Sequence, residues 1–319
     1  VDLLDIQGLT THFFTRSGVI KAVDNLSLTL QKGRVLGLVG ESGCGKTVTA
    51  LSILNLVPYP GKIVAGKIFF DGKDLLALSE DEMRSIRGAR ISMIFQEPMT
   101  ALNPVFTVGN QIAEVLTAHR NVTRKEAMKS AVDLLHSVGI PSPEKRVNEY
   151  PHQLSGGMRQ RVMIAMAIAC KPSLILADEP TTALDVTIQA HILELLSKIQ
   201  REMGMAMILV THDLGLIAER ANDVAVMYAG RIVEQAGTTE LFANPQHPYT
   251  RGLMASIPKS GGEEHKRLRT IAGTVPKLYD LPKGCAFAPR CDRKTGKCDA
   301  APELVEVKPG HFVRCWEAR

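Results

Sequence analysis

The first thirty residues read as two strands around a polar turn at Arg16-Ser17-Gly18. Val35-Leu36-Gly37-Leu38-Val39 is a short apolar run leading into a glycine, which predicts a buried strand. A helix is expected from near Lys46 to about Leu56, and Ile68-Phe69-Phe70 and Ile91 to Phe95 are further strand candidates. From about Pro98 to His152 the strand signals vanish. Ala127, Ala131, Leu134, Leu135 and Val138 recur at helical spacing there, so an inserted helical subdomain is expected. The alternation then resumes with a helix from about Gly157 to Ala169, a strand Leu174 to Ala177 and a helix Val186 to Met203. Strands Ala206 to Val210, Val224 to Tyr228 and Arg231 to Glu234 follow. Strands alternating with helices predict an α/β fold with a mainly parallel sheet. After about Asn244 the periodicity is lost and Pro, Gly, Lys and Cys dominate, so a separate C-terminal extension is expected.

Composition narrows the class. With 45% hydrophobic and 22% charged residues, the 319-residue chain is ordinary globular material, not a disordered tail or a coiled coil. The longest apolar candidate, Val162 to Cys170, is cut off by Lys171 and falls far short of the roughly 20 residues that span a bilayer. No basic stretch followed by an apolar block opens the chain, so no signal peptide is expected and the protein is placed in the cytoplasm. If it works at a membrane, it must dock onto other subunits. The net charge of +5 resides in the tail: thirteen Lys+Arg and eight Asp+Glu lie from Lys259 onward, leaving twenty-five of each sign before it. A basic tail suits nucleic acid, an anionic membrane surface or an anionic cofactor, or is simply solvated.

Two stretches carry chemistry. Gly40-Glu41-Ser42-Gly43-Cys44-Gly45-Lys46-Thr47 matches G-x-x-x-x-G-K-[ST] between a predicted strand and a predicted helix. Glycines let the backbone curl so that successive N–H groups point at phosphate oxygens, and the helix N-terminus adds partial positive charge. Lys46 supplies a cation for the β- and γ-phosphates, and the Thr47 hydroxyl ligates Mg²⁺. Cys44 serves as a small residue within the loop. The second stretch is Leu174-Ile175-Leu176-Ala177-Asp178-Glu179, an apolar strand ending in two carboxylates. In a parallel sheet ligands collect at the carboxyl ends of strands. Asp178 is therefore assigned to Mg²⁺, through water, and Glu179 to the attacking water as general base or orienter. Alone, such an acidic pair is an ordinary strand-end turn; beside a phosphate loop it is not.

Between these lies Leu154-Ser155-Gly156-Gly157-Met158-Arg159-Gln160, which resembles the LSGGQ signature of ABC ATPases with Met158 where Gln is usual. Other family elements occur in order: Gln96 resembles the Q-loop glutamine, Thr182-Ala183-Leu184-Asp185 the D-loop, and His212 the switch histidine. Phe13 stands where the family places an aromatic that stacks on adenine. The resemblance covers roughly residues 1–240. It implies an ABC-type nucleotide-binding domain: a RecA-like parallel core, an antiparallel β portion and a helical subdomain, with a small irregular Cys-rich extension. It also implies that His212 contacts the γ-phosphate and Gln96 the metal. Ser155, Gly156 and Gly157 precede an apolar helix and so make a second anion-binding N-terminus, which the resemblance aims at the ATP of a partner cassette. The expected boundaries are an ATPase domain at 1–244, with the helical insertion at about 98–156, and an extension at 245–319.

A single cassette without a fused membrane domain resembles importer subunits, and the details resemble the dipeptide/oligopeptide/nickel importer group, in its D-type ATPase subunit. Gln96-Glu97-Pro98-Met99-Thr100-Ala101-Leu102-Asn103-Pro104, Tyr150-Pro151-His152-Gln153-Leu154 and Asn244-Pro245-Gln246-His247-Pro248-Tyr249-Thr250 carry that likeness. The group implies a homologous second ATPase or a second copy of this chain, two permease subunits and an external solute-binding protein. The location implied is the inner face of the cell membrane. A soluble nucleic-acid motor is the competing class, but only Phe287, Phe312 and Trp316 interleave with the basic tail, so no nucleic-acid partner is expected.

Cys285, Cys291, Cys298 and Cys315 crowd into the tail. Four thiolates suit tetrahedral zinc or an iron–sulfur cluster, with free or disulfide-bonded cysteines as the further alternative. The close pairs of zinc ribbons are absent, which favours the larger object. The resemblance also implies a [4Fe–4S] cluster, which the flanking Arg290, Arg293, Lys294, Lys297 and Arg314 would offset in charge.

Overall fold

The computed structural model describes residues 2–182, 184–256 and 271–318. Strands β1 (Asp2–Thr15) and β2 (Gly18–Gln31) form the opening hairpin. Strand β3 (Val35–Val39) leads through the glycine-rich loop into α1 (Lys46–Ile53). Then come β4 (Gly61–Phe70), β5 (Lys73–Asp74), α2 (Glu80–Ile86) and β6 (Ile91–Ile94). The helical stretch holds α3 (Pro98–Ala101), α4 (Val108–His119), α5 (Arg124–Ser137) and α6 (Pro143–Arg146). Alternation returns with α7 (Gly156–Ile168), β7 (Leu174–Asp178), α8 (Val186–Met203), β8 (Ala206–Thr211), α9 (Leu214–Arg220), β9 (Asp223–Tyr228) and β10 (Arg231–Gly237). Helices α10 (Thr238–Ala243) and α11 (Pro248–Ala255) and strands β11 (Val305–Lys308) and β12 (His311–Val313) follow.

The chain divides into two units. The first combines Val1–Leu76 with Leu209–Arg319; the second is Ala77–Ile208, so the chain returns to the first unit within β8. In the first unit β2, β1, β4 and β5 form an antiparallel sheet in that order. Leu26, Leu28 and Leu30 of β2 are buried while Asn25, Ser27 and Thr29 face outward, the alternation of a sheet covered on one face. A second run orders β11-β12-β10-β9-β3, antiparallel except for β3 and β9, which pair in parallel from Leu36↔Asp223 to Val39↔Val226. Every residue of β3 is buried, as a strand covered on both faces requires. Gly37 makes that possible: a Cβ there would lie 2.7 Å from Ile217 of α9, so the helix packs directly on the strand backbone.

In the second unit β6 and β7 pair in parallel, with Ile91 opposite Leu174 and Ile94 opposite Ala177. Helix α4 buries Val108, Ile112, Ala113 and Leu116, and α5 buries Ala127, Ala131 and Leu135, each along one face. A reciprocal box caps α5, in which Thr123 accepts from the Glu126 N–H and Glu126 from the Thr123 N–H. Helix α8 begins where Asp185 accepts from the Ile188 N–H at 2.9 Å and stops at Gly204 in the left-handed conformation.

The C-terminal extension, expected to be irregular, is built onto the first unit. Strand β12 pairs with β10, setting Val313 opposite Glu234 and Phe312 opposite Gln235. Tyr228 of β9, Tyr249 of α11 and Phe287 form an aromatic cluster with ring centroids 4.7–5.4 Å apart. The fully buried Glu234 accepts from the N–H groups of Gln246 (2.6 Å) and His247 (2.9 Å) and pairs with His311 Nε2 at 2.8 Å. A carboxylate so enclosed is tolerable only because all these partners meet it.

The cluster expected on Cys285, Cys291, Cys298 and Cys315, and its zinc alternative, are corrected here. All four are free thiols, and among the described residues no group of three or more His, Cys, Asp or Glu could hold a metal ion. Cys291 and Cys315 Sγ accept from the N–H groups of Arg293 and Glu317, both at 3.4 Å, and Cys298 Sγ lies 3.8 Å from Thr295 Oγ1. Burial pushes the thiols of Cys285, Cys291 and Cys315 up, favouring neutral SH over the thiolate a metal requires. The aromatic cluster, the β12 pairing and the Glu234–His311 pair do the fastening that a metal would otherwise supply.

His247 gives this region a pH dependence. Its Nδ1 accepts from the Tyr249 N–H at 3.0 Å, and burial pushes the imidazole down to about 3. The unfolded chain, with an ordinary histidine near pH 6.5, binds a proton that the folded chain refuses. The contribution is therefore complete above about pH 6.5 and is lost as pH falls toward 3, at about 1.4 kcal/mol per pH unit. Thermal melts at pH 7.5 and 5.5 should separate more for the wild type than for His247→Asn, whose amide still caps α11; equal separations would refute the assignment.

Candidate functional site

In the first unit the glycine-rich loop reverses the chain between β3 and α1. Gly43 and Gly45 are left-handed, with φ of 78° and 106°. A Cβ at Gly45 would press into the Ala22 carbonyl and one at Gly40 into the Met227 carbonyl, so side chains are sterically barred at both ends of the loop. Gly45 is also the N-cap of α1 and has no side chain to accept from the first-turn N–H groups. Lys46, only 5% exposed, turns its ammonium into the loop and donates to the carbonyls of Gly40 (2.8 Å) and Glu41 (3.2 Å). Burial pushes the Cys44 thiol up against the opposing pull of Lys46, so it lines the loop as a small neutral group. Ser42, Gly43 and Thr47 form the exposed rim.

Two further predicted residues lie in this unit. Phe13 sits on β1 opposite Ile20 and Gly61; it is half-buried, and a Cβ on Gly61 would meet its ring at 2.8 Å. His212 directly follows β8 and is exposed. The next residue, Asp213, caps α9 by accepting from the N–H groups of Gly215 (2.8 Å) and Leu216 (3.2 Å), so the histidine lies between the strand's end and the helix's start.

In the second unit the pairing of β6 with β7 brings Gln96 and Glu179 to neighbouring strand ends. Asp178 closes β7 and is 2% exposed. Glu179 is held left-handed, with φ of 43°, at a cost of about 1–2 kcal/mol for a residue with a Cβ. Its Oε2 accepts from Gln96 Nε2 at 3.2 Å and from Thr182 Oγ1 at 2.9 Å. An outlier gripped by two neighbouring side chains marks a residue whose direction matters. Ser155 caps α7 by accepting from the Met158 N–H at 3.4 Å. A Cβ on Gly157 would lie 2.9 Å from Ile188 of α8, and one on Gly156 would lie 3.5 Å from Leu184. The Ser155–Gly157 turn therefore sits against the segment that follows Glu179; Ala183 of that segment lies outside the described residues.

In the first unit the loop suits phosphate: only glycine can form it, its helix start is uncapped and it holds an ammonium. The strand end of the second unit, described by itself, offers a buried and a half-exposed carboxylate. Sequence reading gave Thr182 no role of its own, although it stood in a quoted motif. Tyr249 stood only in a quoted motif and Arg290 only beside the cysteines; neither was given a role at the phosphate loop. The Glu41 N–H donates to Tyr249 Oη at 2.9 Å, and Arg290 forks onto the Glu41 carboxylate at 2.6 and 3.0 Å. These partners stand 208 and 249 residues from Glu41, beyond the reach of any spacing rule.

Residues 23–182 match the family model for ABC transporters, and residues 233–298 match that for the oligopeptide/dipeptide transporter C-terminal region. A "Probable peptide ABC transporter ATP-binding protein" of Sinorhizobium fredii is 54% identical across 99% of this chain and 95% of that protein. The dipeptide transport ATP-binding protein DppD of Escherichia coli is 49% identical across 98% of this chain and 96% of its own. Among solved structures, the ATP-binding cassette MJ0796, in a dimeric post-hydrolysis state bound to ADP and Pi, superposes with a TM-score of 0.67. It is 28% identical and covers 74% of this chain and 98% of its own.

Proposed function

The chain belongs to the ABC transporter family, among the ATP-binding subunits of peptide importers, and we propose that it couples ATP hydrolysis in a pair of cassettes to peptide uptake through membrane permeases. The observation that carries the catalytic reading is Glu179, strained and held by Gln96 and Thr182 at the end of β7. Phe13 stacks on adenine. The N–H groups from Gly40 to Thr47 and the Lys46 ammonium bind the phosphates, and the 1–244 cassette is the part that does this work. Glu179 takes a proton from the attacking water or orients it, with Gln96 keeping the carboxylate aimed and His212 marking the γ-phosphate. Thr47, Asp178 and Gln96 are the residues proposed to hold Mg²⁺, which when bound neutralises charge on the phosphates.

The capped turn Ser155-Gly156-Gly157 is an anion-binding helix start with no phosphate loop of its own. It is proposed to close on the nucleotide of a second cassette, a homologous ATPase. Binding of the γ-phosphate then favours the closed pair and its release the open one, a population shift driven by differential affinity. Among the described residues no helix is long and apolar enough to cross a membrane. The proposed transport runs through docking on permease subunits at the membrane's inner face, with an external binding protein delivering the peptide; what supports this is the likeness to peptide-importer ATP-binding proteins. Purification of the tagged chain from solubilised membranes should bring down two permeases and a second ATPase. Hydrolysis by that complex in vesicles should rise with the peptide-loaded binding protein. Recovery of the chain free of every membrane protein would overturn the importer assignment.

A further inference from the structure

Glu41 is an awkward residue to find in a phosphate loop, because a bare carboxylate there repels the triphosphate. The extension answers it directly. Arg290, whose side chain is 4% exposed, forks onto Glu41 through Nη1–Oε2 (2.6 Å) and Nη2–Oε1 (3.0 Å). Its Nε donates to the Ala272 carbonyl at 3.0 Å, and its guanidinium lies 5.8 Å from the centre of the Tyr228 ring. The arginine is thus fixed from two sides before it meets Glu41. Tyr249, buried within the aromatic cluster, accepts the Glu41 N–H at 2.9 Å. Burial pushes its phenol well up, so it meets the loop as a neutral hydroxyl. The peptide so gripped is one of the two whose carbonyls receive the Lys46 ammonium. Moving Glu41 therefore moves the lysine's seat.

We infer that Arg290 and Tyr249 of the C-terminal extension are positioning residues for ATP binding: they fix the Glu41 peptide and cancel its charge, making nucleotide affinity depend on the extension. This rests on the phosphate-loop reading given above. Bidentate geometry is what separates the arginine from any other cation, since only a planar fork satisfies both carboxylate oxygens at once.

The test is equilibrium titration of the full chain with Mg-ATP and Mg-ADP, alongside steady-state hydrolysis. Arg290→Ala should weaken ATP binding by about tenfold, the effect of one uncompensated neighbouring charge. ADP, with one phosphate fewer, should lose less. KM for ATP should rise while kcat stays within about twofold, since the interaction acts on binding. Adding Glu41→Gln to Arg290→Ala should restore most of the ATP affinity. Unchanged affinity in Arg290→Ala would overturn the inference, as would a loss that Glu41→Gln fails to rescue, because a merely structural bolt is not mended by removing its partner's charge. Should Arg290→Ala not fold, Arg290→Lys keeps the charge without the fork and should weaken ATP binding by a smaller factor; wild-type affinity there would equally overturn it. Lys46→Ala separates the two levels. If it keeps ATP affinity, the phosphate-loop reading fails; if it loses affinity while Arg290→Ala keeps it, only the present inference does.

Discussion

Glu179→Gln is expected to bind Mg-ATP as the wild type does while hydrolysing it about 10²–10⁴-fold more slowly, the range a general base supplies. The substitution preserves shape. A glutamine at 179 keeps a carbonyl oxygen to accept from Thr182 and Gln96, so the strained turn at the end of β7 has its side-chain partners unchanged. What disappears is the group that can take a proton. The same variant should hold the cassette pair closed once ATP is bound, since the proposed cycle closes on the γ-phosphate and opens on its loss. Single-turnover phosphate release and size-exclusion chromatography with ATP read the two consequences separately. Hydrolysis above a tenth of the wild-type rate would move the base assignment away from Glu179.

Lys46→Ala is expected to weaken ATP binding by about 100-fold, since charge-assisted hydrogen bonds contribute about 1.5–3 kcal/mol each and the ammonium supplies more than one to the phosphates. The folded chain should survive the change. The buried Gly40 carbonyl and the part-buried Glu41 carbonyl lose a donor, a cost of about 1–3 kcal/mol that leaves the rest of the fold's contacts in place. Fluorescent-nucleotide titration with a parallel thermal melt distinguishes lost binding from lost fold. Wild-type affinity in a folded Lys46→Ala would remove the phosphate-loop assignment, and with it the site.

The two strongest local signals were read in full. Helix α8 was expected from Val186 to Met203 and has those bounds, because Asp185 starts it and Gly204 stops it chemically. The loop from Gly40 to Thr47 was legible because Gly40, Gly45 and Lys46 stand at positions that geometry demands and spacing encodes. Helix α9 was missed: seven residues give under two turns, and only the Asp213 cap announces it. Strand β4 was read only at Ile68-Phe69-Phe70, since residues 61–67 are largely exposed and hold two glycines. Strands β11 and β12 were invisible for a different reason. They are short, β11 lying at the sheet edge on β12, and the pairing of β12 to β10 is set by contacts some eighty residues apart, Val313 on Glu234 and His311 on Glu234 among them. The four cysteines were read as ligands by number and neighbourhood. Burial, free thiols and a packed aromatic cluster tell another story, and none of these is written in the spacing.

The parallel pairing of β3 with β9 has a consequence for how the protein is made. Leu36 finds its partner Asp223 only after 187 further residues have been added. At about 5–20 residues per second, the strand that leads into the phosphate loop waits roughly 10–40 s on the ribosome without that neighbour. The entire Ala77–Ile208 unit emerges during the wait. The nascent chain can thus complete β6, β7 and the helices around them while β3 still lacks its β9 neighbour. That interval is when a chaperone would have most to shield, and a messenger that stalls before the codon for Asp223 would release a chain whose β3 has no β9 to pair with.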